Sequence, residues 1–400
     1  MRRKANLFLA CALVLIVFGM FLDTMALYGR NYAYGFFVSY RDSLPENPTL
    51  MDNIRARISK LDYNATQRLF LRQPIREANA SLQARLGRNM ISIGLNNMVR
   101  LKCGAYYNLF TGAYDMDEVR ALTDFAREIR EEDGIPTLFV YCHAGLYEDG
   151  QLPPGMDGLD NNRECADEIV RTFEEAGVPV TDSREAYRQS GLTIDEAINK
   201  SDVHWTHRMA LETARYAAAR MNEVFGLRLD ADALDYDRFL DETHESLLMG
   251  EYGRRIGFRH VTPDDVHVLT PAYETDMRYE ELNTDVSRAG SFREAVLTPE
   301  NLTRDEESGF SENAYYIYGH YLSQTHTVNR DAENVKVLVF KDSYGTPVAS
   351  FLGLAAADVT AVDLRSTDLS MREWVDKVQP DVVLFAYSQQ MLRRFEYVIA

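Results

Sequence analysis

Val335-Lys-Val-Leu-Val-Phe340 runs straight into Lys341-Asp342-Ser343-Tyr344-Gly345, and that turn into Thr346-Pro347-Val-Ala-Ser-Phe-Leu352. The first six residues are β-branched or apolar but for one lysine, the composition of a strand buried on both faces. Thr346 followed by Pro347 reads as an N-cap with proline in the first helical turn, so a helix should follow at once. Between them a hydroxyl, Ser343, stands at the carboxyl end of a strand, where open α/β sheets bind their ligands. A nucleophile placed there can use backbone N–H groups and the positive end of a helix dipole to stabilise a developing oxyanion. An isolated Asp-Ser pair more often just caps a turn. The rest of the chain must supply the partners.

Outward from this stretch the same unit repeats. Val359 to Leu364 and Asp381 to Ala386 read as strands, with a helix from Leu369 to Val378 between them and Pro380 as its breaker. Upstream, Met116 to Glu132 has helical periodicity and is closed by Gly134. Pro136 to Tyr141 is a buried-type strand, and Arg163 to Ala176 a helix closed by Gly177. Val178 to Asp182 is a short strand, and Ser183 caps a helix reaching Gln189. Strands alternating with helices at this spacing predict a parallel sheet with helices on both faces.

Ser201-Asp202-Val203-His204-Trp205-Thr206 precedes a long amphipathic helix, His207 to Phe225, with Thr206 as N-cap and Gly226 at its end. Asp202 and His204 are two residues apart, so in an extended loop both side chains point the same way. Acyl transfer through serine needs a hydroxyl, an imidazole to take its proton and a carboxylate to orient the imidazole. Ser343, His204 and Asp202 are the residues here that could provide them. His204-x-x-His207 lacks a third ligand at metal-binding spacing, and His207 is expected to face solvent. Lys341 is expected at the surface. The cluster Tyr315, Tyr316, Tyr318 and Tyr321 would suit sugar stacking, although aromatic runs more often build core.

Asp-x-His-Trp-Thr before a helix, with a later strand ending Lys-Asp-Ser-Tyr-Gly, resembles the SGNH-hydrolase-like family of alginate O-acetyltransferases (AlgX/AlgJ-like), its DHHW branch in particular. Val337 to Tyr344, Val359 to Arg365 and Pro380 to Tyr387 carry the likeness further, so that it covers about residues 90 to 400. The resemblance implies an SGNH-like (flavodoxin-like) α/β domain with rearranged motif order, Asp and His ahead of Ser. It implies O-acetylation of a cell-surface or exported polysaccharide, with acetyl groups delivered by a membrane-embedded partner of the MBOAT type and no cofactor or metal. Ser343 would be the nucleophile, His204 the general base and Asp202 its orienting carboxylate. Val203 stands where the branch has a second histidine. The usual Gly and Asn oxyanion blocks are not recognisable. Backbone N–H groups of Ser343 and its neighbours, Gly345 included, are nominated instead, with the Tyr344 side chain. Trp205 and His143 are nominated to line the substrate cleft. Water as acceptor would make the same triad an acetylesterase, and a silent triad would leave a glycan-binding scaffold.

Composition limits the alternatives. The chain is 46% hydrophobic, 11% aromatic and carries a net charge of −18, a folded protein with no basic stripe for nucleic acid beyond its first four residues. Met1-Arg-Arg-Lys4 followed by the apolar run Leu7 to Leu22 reads as a signal anchor. The expected topology is single-pass in the cell membrane, with the N-terminus inside and the catalytic domain extracytoplasmic. Cys103, Cys142 and Cys165 have no metal-type spacing, and whether two of them pair stays open. The expected organisation is an anchor (1–27), a stalk and lead-in (28–114), the first part of the α/β domain (115–226), an insertion or cap (227–330) and the second part of the domain (331–400).

Overall fold

The structure, a computed structural model, describes residues 2–43, 49–67, 70–88, 90–93, 96–112, 116–145, 148–306, 308–320 and 322–392. Tyr321 lies outside the described residues. The chain forms two compact units, residues 1–85 and 86–400.

The first unit is helical: α1 (Arg2–Phe37), α2 (Leu50–Gln67) and α3 (Arg72–Arg85). Arg57 of α2 donates to the Phe36 carbonyl at 2.8 Å and lies 3.8 Å over the Tyr40 ring. Here the sequence expectation fails. Among the described residues no helix is long and apolar enough to cross a membrane, so the single-pass anchor is overturned. The physical reason is length. The sixteen apolar residues Leu7 to Leu22 measure about 24 Å as helix, short of the ~30 Å hydrocarbon core. Instead of stopping there, α1 continues through Asp23 and Arg30.

The second unit opens with a three-stranded antiparallel sheet, β1 (Met90–Ile93), β2 (Asn96–Arg100) and β3 (Tyr106–Leu109). Helix α4 (Asp117–Glu128) ends in one wider turn at Gly134, whose φ of 69° suits glycine. Then come β4 (Thr137–Cys142), α5 (Asn162–Glu175), β5 (Val180–Asp182), α6 (Ser183–Ser190) and α7 (His207–Phe225). Residues 227–330 supply an antiparallel ribbon, β6 (Phe239–Leu248) with β7 (Asp264–Pro271), and the strands β8 (Met277–Glu281), β9 (Ser287–Gly290) and β10 (Thr325–Asn329). The chain continues as β11 (Glu333–Lys341), α8 (Gly345–Ala355), β12 (Ala356–Val362), α9 (Met371–Val378) and β13 (Val382–Ser388). Residues 258–260 form a turn, closed by the His260 N–H on the Gly257 carbonyl at 3.2 Å.

One eight-stranded sheet, ordered β5-β4-β13-β11-β12-β10-β8-β9, organises this unit. The first five strands are parallel, as the alternating pattern predicts, whereas β10, β8 and β9 extend the sheet antiparallel. In β8 and β10 buried residues alternate with half-buried or exposed ones, and in β9, at the edge, half-buried residues alternate with exposed ones, a one-sided pattern that antiparallel strands tolerate. Along β11 both faces are buried: Val337 and Val339 pack with α7 and α8, Leu338 and Phe340 with α4, α5 and α9. That makes three layers, helix–sheet–helix. The crossover from β11 leads to β12 on one side, while β13 lies on the other. Loops following β11 and β13 therefore flank a topological crevice at the carboxyl ends of the strands.

Candidate active site

Ser343 sits in the turn between β11 and α8. Asp342, 3% exposed, shapes that turn. One of its carboxylate oxygens accepts from the Tyr344 N–H at 2.9 Å, the other from the Ser388 N–H at 2.9 Å and hydroxyl at 2.6 Å. This Asx-type contact gives Tyr344 helical torsions and starts the helix at Gly345, one residue ahead of the Thr346 cap read from the sequence. Thr346 is consequently an interior residue of the first turn, its hydroxyl buried without a partner among the described residues. A Cβ on Gly345 would meet the Lys341 Cβ at 2.8 Å and the Ala386 carbonyl oxygen at 3.0 Å, so glycine lets the helix start tight against β13. Lys341 is buried, against expectation. Burial lowers its ammonium to about 8, with the Asp363 carboxylate pulling the other way.

The loop 199–206 brings Asp202 and His204 to this turn. Asn199 donates from its amide to the carbonyls of His204 at 3.1 Å and Trp205 at 2.9 Å, which closes the loop. The Thr206 hydroxyl caps α7 by accepting from the Met209 N–H at 3.2 Å, as its sequence predicts. From across the unit Asp264 accepts the Lys200 N–H (2.6 Å), the Ser201 N–H (2.7 Å) and the Ser201 hydroxyl (2.6 Å). Burial pushes the Asp264 carboxyl up to about 7 despite those three donors.

The three side chains meet in a line. Ser343 Oγ is 2.7 Å from His204 Nε2, and His204 Nδ1 is hydrogen-bonded to Asp202. The second Asp202 oxygen accepts the Glu251 N–H at 2.8 Å. Asp202 is 7% and His204 6% exposed, while Ser343 is half-buried. Burial opposes ionisation of Asp202, but the charge and hydrogen bonds of His204 and the Glu251 N–H outweigh it and hold the carboxyl below its ordinary value. An ionised carboxylate can only accept, so Nδ1 carries the proton and Nε2 presents its lone pair to the serine hydroxyl. The imidazole is stacked on Tyr315 at 4.1 Å and 14°, with Tyr344 at 4.8 Å on a tilted plane. This arrangement can pass a proton from the serine hydroxyl to the imidazole.

The other residues singled out from the sequence are placed as follows. The Tyr344 hydroxyl donates to the Val203 carbonyl, tying the nucleophile turn to the Asp202–His204 loop. Trp205, 1% exposed, packs edge-on against Tyr344 at 5.4 Å. His143 lies at the end of β4, two strands from Ser343, with its N–H on the Ser183 hydroxyl at 2.9 Å. His207 is buried rather than solvent-facing, its two ring nitrogens 3.0 Å and 2.9 Å from the carbonyls of His267 and Tyr315; burial lowers it to about 4. Tyr315 and Tyr318 are core residues. No disulfide joins Cys103, Cys142 and Cys165.

Gly250 is a site residue that sequence reasoning missed. A Cβ there would lie 2.0 Å from Asp202 Oδ2 and 2.3 Å from its Cβ, so only glycine lets the β6–β7 connection pass behind the carboxylate. Gly250→Ala should push Asp202 out of line. A displacement of about 1 Å in such an array costs on the order of 10²-fold in rate. Steady-state kinetics on an aryl acetate would check this. A kcat within twofold of the parent would mean that the position of Asp202 does not matter.

No protein-family model matches the chain, and no sequence among the curated proteins does either. Solved structures do match. A DHHW family protein from Eubacterium siraeum superposes with a TM-score of 0.59 at 14% identity, over 78% of this chain and 98% of that one. Bacillus cereus PatB1, solved with a sulfonyl adduct, gives 0.57 at 15% identity, over 77% of this chain and 99% of that one. The O-acetyltransferase domain of Pseudomonas putida AlgJ gives 0.44 at 12% identity, over 74% and 92%. For the first two, at these identities, the likeness is one of fold, and at that level the resemblance to the DHHW branch read from the sequence stands.

Proposed function

We propose that this chain is an O-acetyltransferase that acylates a polysaccharide through an acetyl-serine at Ser343. The observation that carries the proposal is the unbroken line Asp202–His204–Ser343 at the carboxyl end of the sheet. Ser343 Oγ attacks the acetyl carbonyl of the donor while its proton moves to His204 Nε2, and Asp202 stabilises the imidazolium. Collapse of the tetrahedral intermediate expels the donor oxygen, which takes the proton from Nε2, and leaves acetyl-Ser343. An acceptor hydroxyl then gives its proton to Nε2, attacks the ester carbonyl and departs acetylated, restoring the serine.

Backbone N–H groups at the start of α8 are the oxyanion donors in this scheme, since the first turn of a helix leaves such groups without intrahelical partners. The Tyr344 N–H is not among them, because Asp342 already accepts it. The sequence resemblance supplies the acceptor class, a cell-surface or exported polysaccharide, and the donor, a membrane-embedded acyltransferase of the MBOAT type.

The test is chemical. Acid quenching during turnover of an aryl acetate, followed by peptide mass spectrometry, should find one acetyl group on the peptide carrying Ser343. An acetyl group mapped to any other side chain would remove the proposal.

A further inference from the structure

Two strands away from Ser343, at the same carboxyl end of the sheet, lies a concavity of about 240 Å³. Its walls are Tyr107, His143, Asp160, Arg163, Asp167, Arg184 and Arg188, with no aliphatic side chain among them. We propose that this pocket is the acceptor subsite and that it binds an uncharged sugar unit of the glycan, adjoining the unit acetylated at Ser343. The proposal rests on the acetyltransferase reading and narrows it to a neutral acceptor.

Three observations lead there. The first is position. Strand spacing places the end of β4 about 10 Å from the end of β11, so one ring cannot occupy both places but a short oligosaccharide can. A hydrogen-bonded rail fixes that separation. Asp342 accepts from Ser388, and Gln389, next in the chain, accepts the Tyr141 hydroxyl at 2.6 Å. The Gln389 amide donates to Asn162 at 3.3 Å, Asn162 donates to Asp160 at 2.8 Å, and Asp160 accepts the Tyr107 hydroxyl at 2.8 Å. Pocket and nucleophile are thus parts of one polar framework.

The second is chemistry. The walls carry both guanidinium donors and carboxylate acceptors, a match for ring hydroxyls, which both donate and accept. An apolar ligand would find little but the Tyr107 ring to bury against. The volume lies just below the ~300 Å³ where ordinary small-molecule sites begin, room for one ring and not for a folded chain.

The third is charge, and it selects among sugars. Every wall arginine has a carboxylate partner. Arg184 pairs with Asp182 at 2.7 Å and Asp167 at 2.6 Å, Arg163 with Asp149 and Arg188 with Glu185. The wall itself holds three guanidiniums and two carboxylates, Asp160 and Asp167, and Asp149, Asp182 and Glu185 pair with those guanidiniums from outside it, on a chain whose net charge is −18. A uronate would have to compete with these carboxylates for guanidiniums that are already paired, and would lie close to Asp160 and Asp167. A neutral or N-acetylated sugar meets no such penalty.

Binding should be measured by titration calorimetry on the full chain with neutral tetrasaccharides (β-1,4-linked glucose and β-1,4-linked N-acetylglucosamine, and a mixed-linkage galactan) and with a β-1,4-linked uronate tetrasaccharide, at low salt. The expected result is that at least one neutral probe binds more tightly than the uronate. The double variant Asp167→Asn/Arg163→Gln, whose side chains are more than half exposed and carry no packing role, should weaken that probe at least tenfold, with circular dichroism confirming the fold. Tighter binding of the uronate, no binding of any probe, or a smaller loss in the variant would each overturn the proposal. Acetyl mapping on Ser343 is read separately: an adduct elsewhere with sugar binding intact removes the transferase reading and leaves the pocket.

Discussion

Ser343→Ala should lower kcat on an aryl acetate by about 10⁴- to 10⁶-fold, the range seen when a triad nucleophile is removed. Its thermal midpoint should hardly move. The hydroxyl is half-buried and makes one hydrogen bond, to His204, so its net contribution to stability is about 1 kcal/mol at most. Neither the turn nor the helix depends on it. Asp342 sets the turn through Tyr344 and Ser388, and Gly345 sets the helix start against Ala386. Loss of rate with the fold intact is therefore the signature of a nucleophile. A variant that keeps more than a tenth of the parent rate would show that the acyl group passes through another residue, and the line of three side chains would need a structural explanation.

What the sequence made legible was local. The strand Val335 to Lys341 announced itself because both its faces are buried, and α7 because Thr206 and Gly226 mark its ends by cap chemistry. Asp202 and His204 could be paired because their spacing alone puts them on one side of a loop. Spacing could nominate Ser343 as their partner but could not place it beside them, since the hydrogen bond between His204 and Ser343 spans 139 residues. The supports of that loop were invisible for the same reason. Asp264 was one of many acidic residues with nothing in its neighbours to single it out, and Gly250 carried no turn signature, its φ of −79° being ordinary. Only the space behind Asp202 makes glycine necessary there. Tyr315 was one tyrosine of a cluster, and nothing in its neighbours told that its ring would lie flat on the imidazole. The antiparallel edge was missed because β8 to β10 are short and half-exposed, a weaker periodic signal than the buried parallel strands give. The N-terminal anchor was misread because a basic start and an apolar run describe a composition, and a membrane span is also a length.

Asp202→Asn should cost about 10⁴-fold in kcat, because the change reverses which nitrogen of His204 carries the proton. Both oxygens of Asp202 accept: one from the imidazole and the His204 N–H at 3.1 Å, the other from the Glu251 N–H at 2.8 Å. An asparagine has one oxygen and one NH₂ group to offer these positions. With its oxygen toward Glu251, its NH₂ faces Nδ1, which must then give up its proton; Nε2 carries it instead and cannot accept from Ser343. With its oxygen toward the imidazole, the NH₂ opposes the Glu251 N–H, and a buried donor loses its partner at a cost of about 1–3 kcal/mol. Either way the parent state is destabilised. Nitrogen-15 shifts of the His204 ring would distinguish the two outcomes, and steady-state kinetics would give the loss of rate. Stability should carry the same signature. The Asp202 carboxyl is held below its ordinary value, so its stabilising contribution is present above the unfolded carboxyl's pKa of about 3.9 and is lost as pH falls through the lower folded value. Parent and variant should thus differ most near neutrality and converge in acid. If Asp202→Asn kept the rate within tenfold and its stability ran parallel to the parent across that range, Asp202 would be a structural acceptor of the Glu251 N–H, and His204 would have to be oriented by the Tyr315 ring alone.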